Sequence, residues 1–220
     1  MINIIEMTHP PVISNFASKS AHHICGTPHH EQSKRWAATL ISAGGEFVKE
    51  GVVVIDYGCG NARCGNYLSG CLKNFTYVGL EPDTPHGKRM LEYDCMTYND
   101  PRFKFGHCDT VFEAEMLQKA NIVYLGSVFT HTLIDETYRI LDKIMPVVIR
   151  GGTVVFSALI GPGYKFKLDG AYDLSLGTSY TFNYLLQYIS YATTRNVVLE
   201  VCGTCLTEGP EHTIMRLTKK

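Results

Sequence analysis

The strongest constraint on the fold is the run Val52-Val53-Val54-Ile55-Asp56, which breaks into Tyr57-Gly58-Cys59-Gly60. A short, unbroken β-branched run suits a strand buried on both faces, as in a parallel sheet covered by helices. The glycines behind it permit positive φ, so the chain can turn sharply from strand to helix without a side chain in the way. The helix that follows points its first amides back toward that turn, where a ligand can be held.

Strand and helix patterns alternate along the rest of the chain. A helix is predicted from His30-Glu31 through Lys34, Trp36, Leu40 and Ile41, with Gly44-Gly45 near its end. After the first strand come a helix over 62–72, a strand over 76–80, a helix over 87–96 and a strand over 103–107. A helix over 111–119, a strand over 122–126, a helix over 134–145 and a strand over 153–157 follow. The pattern closes with a loop over 159–178, a helix over 182–192 and strands over 197–202 and 213–217. The turn between those two strands carries Gly209-Pro210, which suits an antiparallel pair. The expectation is an α/β fold, with a mostly parallel seven-stranded sheet, helices on both faces and a C-terminal antiparallel pair. A single domain over 1–220 is expected, with an irregular N-terminal cap over 1–30 and a lid loop over 159–178.

Composition narrows the partners. The net charge is −1 and no Lys/Arg run exceeds two residues, so a nucleic-acid partner is disfavoured. Charged residues at 19% and hydrophobic residues at 45% exclude a disordered chain. No apolar run reaches the length of a membrane span, and Met1-Ile2-Asn3-Ile4-Ile5-Glu6 does not begin a signal peptide. The eight cysteines are therefore read as reduced residues of a cytoplasmic protein. The oligomeric state is left open.

In open α/β sheets, ligands bind outside the carboxyl ends of the strands. The unusual residues gather there. Asp56, Gly58, Cys59 and Gly60 follow the first strand, and Glu81, Pro82 and Asp83 the second. Cys108 and Asp109 follow the third, and Gly126 and Ser127 the fourth. Alone, the glycine pair also suits a plain tight turn, Glu81 a solvated acid, and Asp109 a helix N-cap. Together they point to a nucleoside ligand. Glu81 lies 25 residues after Asp56, and a carboxylate there can accept from both ribose hydroxyls. Arg63 stands where a dinucleotide fingerprint requires its third glycine, which turns the reading away from a nicotinamide oxidoreductase.

These segments resemble the class I S-adenosylmethionine-dependent methyltransferases, which have a Rossmann-like fold. Asp56-Tyr57-Gly58-Cys59-Gly60-Asn61-Ala62-Arg63 is similar to their glycine-rich first motif, and Tyr77-Val78-Gly79-Leu80-Glu81 to the second. Phe103-Lys104-Phe105-Gly106-His107-Cys108-Asp109 resembles the third. Gly126-Ser127-Val128-Phe129-Thr130-His131 resembles the SVFTH segment of bacterial-type small-molecule methylases. The resemblance spans roughly residues 32–220. It departs at Ala62, where those enzymes usually carry a third glycine; alanine fits there if φ is negative.

The resemblance implies S-adenosylmethionine as cofactor and S-adenosylhomocysteine as product. It assigns Gly58 and Gly60 to the methionine moiety, Glu81 to the ribose, Cys108 and Asp109 to the adenine, and Gly126 and Ser127 to the sulfonium. The implied reaction is in-line methyl transfer to a small-molecule acceptor, with His131 as candidate base; His131 equally suits a helix cap. The segments that mark amino-methylating DNA enzymes, cytosine-carbon methylases and cap ribose methylases are missing after the fourth strand. The alternative is a non-catalytic cofactor-binding or partner subunit with the same fold. The cluster His22-His23-Ile24-Cys25-Gly26-Thr27-Pro28-His29-His30 does not match a zinc ligand spacing, so no metal is expected.

Overall fold

The structure is a computed structural model, and it describes residues 31–108, 119–129, 132, 134–160, 179–180, 182–206 and 211–220. The expected cap over 1–30, all but Lys119 of the helix over 111–119, most of the 159–178 loop, Asp109 and His131 lie outside those residues.

Eight strands form one sheet: β1 (Val52–Tyr57), β2 (Phe75–Glu81), β3 (Phe103–His107), β4 (Ala120–Leu125), β5 (Val148–Ile160), β6 (Ser179–Tyr180), β7 (Val197–Leu206) and β8 (Glu211–Lys219). Their order is β3-β2-β1-β4-β5-β8-β7, with β6 paired to β5 off that path. The pairings from β3 through β5 are parallel; β8 is antiparallel to both β5 and β7. This is the mostly parallel sheet with a C-terminal antiparallel pair that the alternation foretells. The two-residue β6, parallel to the end of β5, is an addition that no sequence pattern announces.

The described helices are α1 (Glu31–Ser42), α2 (Arg63–Cys71), α3 (Pro85–Thr97), α4 (Ile134–Ile144) and α5 (Phe182–Thr194). Two apolar layers enclose the sheet. On one face Leu141 and Ile144 of α4, with Tyr188 and Tyr191 of α5, pack on Ile55, Val123, Val154 and Leu217. On the other, Trp36 and Leu40 of α1 and Leu68 of α2 pack on Val54, Tyr77, Tyr124 and Ile214. Each fully buried aliphatic side chain contributes about 1.5–3 kcal/mol, which is why the central strands read as unbroken apolar runs.

Some boundaries differ from expectation, each for a local reason. α3 begins at Pro85, because Thr84 caps it by accepting from Gly87 N–H at 3.0 Å and Pro85 takes the first turn. β5 runs for thirteen residues, through Gly151-Gly152, because β4 and β8 flank it on both sides. The register of β4 shifts between Ala120 and Ile122, where the Asn121 side chain accepts from Val53 N–H at 2.8 Å.

Candidate functional site

Strand order reverses at β1, whose neighbours are β2 and β4. The crevice at the carboxyl ends of β1 and β4 is the switch point where such sheets bind ligands. Gly58 stands on one side of it and Val128 on the other. A Cβ built on Gly58 would lie 2.8 Å from Val128 Cγ2, and Gly58 has φ +74°, so glycine is required there on both counts. Gly60 also has positive φ, at 57°. The loop is lashed to β2, because Gly58 N–H and Cys59 N–H both donate to the Leu80 carbonyl, at 2.8 and 3.0 Å.

Ala62 corrects one expectation. Its φ is +49° and ψ +38°, left-handed rather than negative, and its side chain is fully buried. The tight turn from Cys59, closed by Ala62 N–H donating to the Cys59 carbonyl at 3.0 Å, feeds α2 through that residue. An alanine there costs roughly 1–2 kcal/mol of backbone strain, offset in part by burial of its methyl.

Glu81, at the end of β2, is buried, and its Oε1 accepts from Gly60 N–H at 2.5 Å. The structure thus brings the second-strand acid onto the glycine loop. Burial pushes its carboxyl up to about 7, with the nearby Asp56 adding to the rise and the Gly60 N–H opposing it. Asp56 is buried beneath the loop and accepts from the Tyr77 hydroxyl at 2.7 Å. Burial raises it to about 6, against the lowering pull of Tyr77 and Arg63.

A third acid belongs to this group, and sequence reasoning missed it. Asp94 of α3 is fully buried; its Oδ2 lies 3.9 Å from Cys59 Sγ and its Oδ1 has no hydrogen-bond partner among the described residues. Burial raises it to about 9, with repulsion from Glu81 and then Asp56 adding. A signal was present: the buried positions of α3 are Gly87, Met90, Leu91 and Asp94, so an acid occupies an apolar slot of a helical repeat. Three buried carboxyls thus gather around one loop, and the raised value of Asp94 leaves it protonated at neutral pH.

The remaining predicted residues divide. Cys108 is buried, and its N–H donates to the Glu81 carbonyl at 2.9 Å, which joins the end of β3 to the same crevice. Gly126 and Ser127 follow β4 at the switch point. A Cβ on Gly126 would meet Leu40 Cδ2 at 3.1 Å and Trp36 Nε1 at 3.4 Å, so α1 closes over that turn. Asp83 is drawn outward instead: it pairs with Lys88 at 2.9 Å, with both side chains more than half exposed. Pro82 is exposed beside it, and its carbonyl packs against Gly87.

On the far side of Ser127 lie Ser157, His212 and Trp36, none of which stood out in the sequence. Ser157 Oγ accepts from Ser127 N–H at 2.8 Å, and His212 Nδ1 lies 3.3 Å from the same oxygen. A separate cleft at the other end of the parallel strands, lined by Glu46, Glu200 and Arg216, is no rival. Its cation is already engaged by Glu200 and the Ala43 carbonyl.

No His/Cys/Asp/Glu cluster suited to a metal exists among the described residues, and no described helix is long and apolar enough to cross a membrane. Cys59, Cys64, Cys71, Cys95, Cys108 and Cys202 are free thiols.

No protein-family model and no curated sequence matches the chain. Solved structures do. The chain resembles 1,6-didemethyltoxoflavin-N1-methyltransferase of Burkholderia thailandensis, solved with S-adenosylhomocysteine, at TM-score 0.63 and 15% identity, covering 96% of this chain and 94% of that one. It resembles magnesium protoporphyrin IX methyltransferase of Synechocystis, solved with bound cofactor, at TM-score 0.59 and 13% identity, covering 94% and 87%. Precorrin-6y C5,15-methyltransferase of Geobacter metallireducens is similar at TM-score 0.55 and 14% identity, covering 84% and 87%. The chain therefore has the Rossmann-like fold of the class I S-adenosylmethionine-dependent methyltransferases.

Proposed function

We propose that this protein is a methyltransferase that uses S-adenosylmethionine to methylate a small-molecule acceptor. The observation that carries this reading is Glu81 docked on Gly60 N–H at the switch point, beside a loop whose left-handed glycines leave its backbone uncovered. The residues fit a nucleoside sulfonium. Glu81 offers a buried carboxyl at the switch point for ribose hydroxyls, and Gly58 has no room for a side chain. The likeness to methyltransferase structures supports the same reading.

Bound there, the donor supplies an activated methyl group for in-line displacement. Catalysis then depends chiefly on alignment and exclusion of water. Gly58 and Gly60 hold the methionine part, Glu81 the ribose, and Cys108 and Asp109 the adenine, with Pro82 and Asp83 at the rim. Gly126 and Ser127 line the reacting side. His131 is the candidate base if the acceptor must lose a proton early.

Calorimetric titration with S-adenosylhomocysteine and, separately, with NAD tests the donor. The former is expected to bind and the latter not; binding of NAD alone overturns the proposal. Glu81→Ala is expected to weaken the nucleoside strongly, and unchanged affinity removes Glu81 from the ribose. Turnover against a panel of small acceptors separates an enzyme from a binding subunit. A wild-type rate in His131→Ala rules that residue out as an essential base.

A further inference from the structure

We propose that Ser157 and His212 are positioning residues that hold the Ser127 turn, and through it the reacting side of the donor site. The inference rests on the methyl-donor reading above.

Ser127 is one of three described non-glycine residues with positive φ, at 63°. Such a conformation costs on the order of 1–2 kcal/mol and persists only where the surroundings impose it. Here the restraint is visible. Ser127 N–H donates to Ser157 Oγ at 2.8 Å, and Ser157 is fully buried in the middle of the sheet. A hydroxyl that accepts one hydrogen bond still has its own proton to place. His212 Nδ1, 3.3 Å away and buried, is positioned to receive it.

Topology explains why these residues meet. Ser157 pairs with Ile214 across the β5–β8 ladder, so His212, two positions earlier on antiparallel β8, falls on the same face at the carboxyl edge of the parallel strands. Trp36 of α1 then fixes the imidazole from the side, ring centroids 5.0 Å apart at 81°. The same indole stands against the empty side of Gly126. Three elements distant in sequence thus converge on Gly126–Ser127, and the next residue, Val128, faces Gly58 across the crevice. A buried serine–histidine pair is costly in an apolar core unless its hydrogen bonds are used. Here they are spent on one strained turn beside the glycine loop.

The experiment compares His212→Phe, His212→Asn and Ser157→Ala, each checked by thermal melting, for affinity toward S-adenosylhomocysteine by calorimetry. Turnover with an accepted substrate follows. An asparagine amide reaches the place of Nδ1, whereas phenylalanine keeps the ring and removes the polar atom. Ser157→Ala and His212→Phe are expected to lose about tenfold in affinity and in kcat, the loss expected for one buried hydrogen bond, with KM for the acceptor unchanged. His212→Asn is expected to stay within about threefold of wild type. Wild-type affinity and kcat in Ser157→Ala and His212→Phe overturn the proposal. Should His212→Phe not fold, His212→Gln carries the test, because its amide reaches the place of Nε2 rather than Nδ1. Equal behaviour of the Gln and Asn variants then overturns the proposal. Failure of the wild-type protein to bind S-adenosylhomocysteine overturns the donor reading instead, which keeps the two failures apart.

Discussion

The Tyr77 hydroxyl donates to Asp56 Oδ2 at 2.7 Å, joining the middle of β2 to the end of β1 directly beneath the glycine loop. Both residues are buried, so the bond opposes part of the cost of placing a carboxyl there. Tyr77→Phe is expected to destabilise the protein by about 1–3 kcal/mol, the cost of a buried acceptor left without its donor. It should also raise the Asp56 carboxyl further, since that hydroxyl is the largest influence holding it down. Chemical denaturation and carboxyl titration of the variant measure the two effects.

The acid cluster makes stability depend on pH. Glu81 and Asp94 are raised to about 7 and about 9, so the native state keeps protons that the unfolded chain releases near its ordinary carboxylate values. Their contribution is complete at low pH and is lost as pH climbs through 7 and then 9. Stability of the ligand-free protein is expected to fall from about pH 4 upward, most steeply below pH 7 where both groups contribute, and to level off above pH 9, by an amount on the order of a few kcal/mol. Asp94→Asn should flatten the upper part of that decline. A stability that rises between pH 7 and 9 in the wild-type protein contradicts this account.

Two small substitutions in one loop are expected to act in opposite directions. Gly58→Ala meets Val128 at a positive φ, and should cost at least about 1–2 kcal/mol and abolish nucleoside binding. Ala62→Gly relieves left-handed strain while losing one buried methyl, so its effect should lie between neutral and about 1 kcal/mol stabilising. Denaturant midpoints at matched slope decide both.

Trp36 is the sole tryptophan, and it stands against Gly126 and His212. Its emission is expected to shift when S-adenosylhomocysteine binds. Gly126→Ala should shift it without ligand, because the added methyl pushes Leu40 by a few tenths of an ångström and comes into van der Waals contact with the indole. An emission spectrum indifferent to both changes would separate α1 from the donor site.

The features legible in the sequence were those encoded locally. A β-branched run, a glycine turn and an acid at the next strand end each occupy a few consecutive residues, so Asp56, Gly58, Gly60 and Glu81 could be placed at adjoining strand ends from the sequence alone. Asp94, Ser157 and His212 could not, because each owes its position to an element far away in sequence. His212 reaches Ser157 only because β8 inserts between β5 and β7 and runs against β5. Asp94 reaches Cys59 only because α3 packs behind the loop. The left-handed Ala62 shows a different limit, since turn closure there overrides the residue's own preference.

The insertion of β8 has a consequence for how the molecule assembles. β1 and β2 pair over a short stretch of chain, from Val52 to Phe75. The β1–β4 ladder joins Val54 to Ile122 and the β5–β8 ladder joins Thr153 to Thr218, two long loops of similar size, and long-range pairings of this kind form slowly. The crevice between Gly58 and Val128 and the Ser157–His212 contact beside it therefore wait on comparably late closures, and a partly folded chain presents neither.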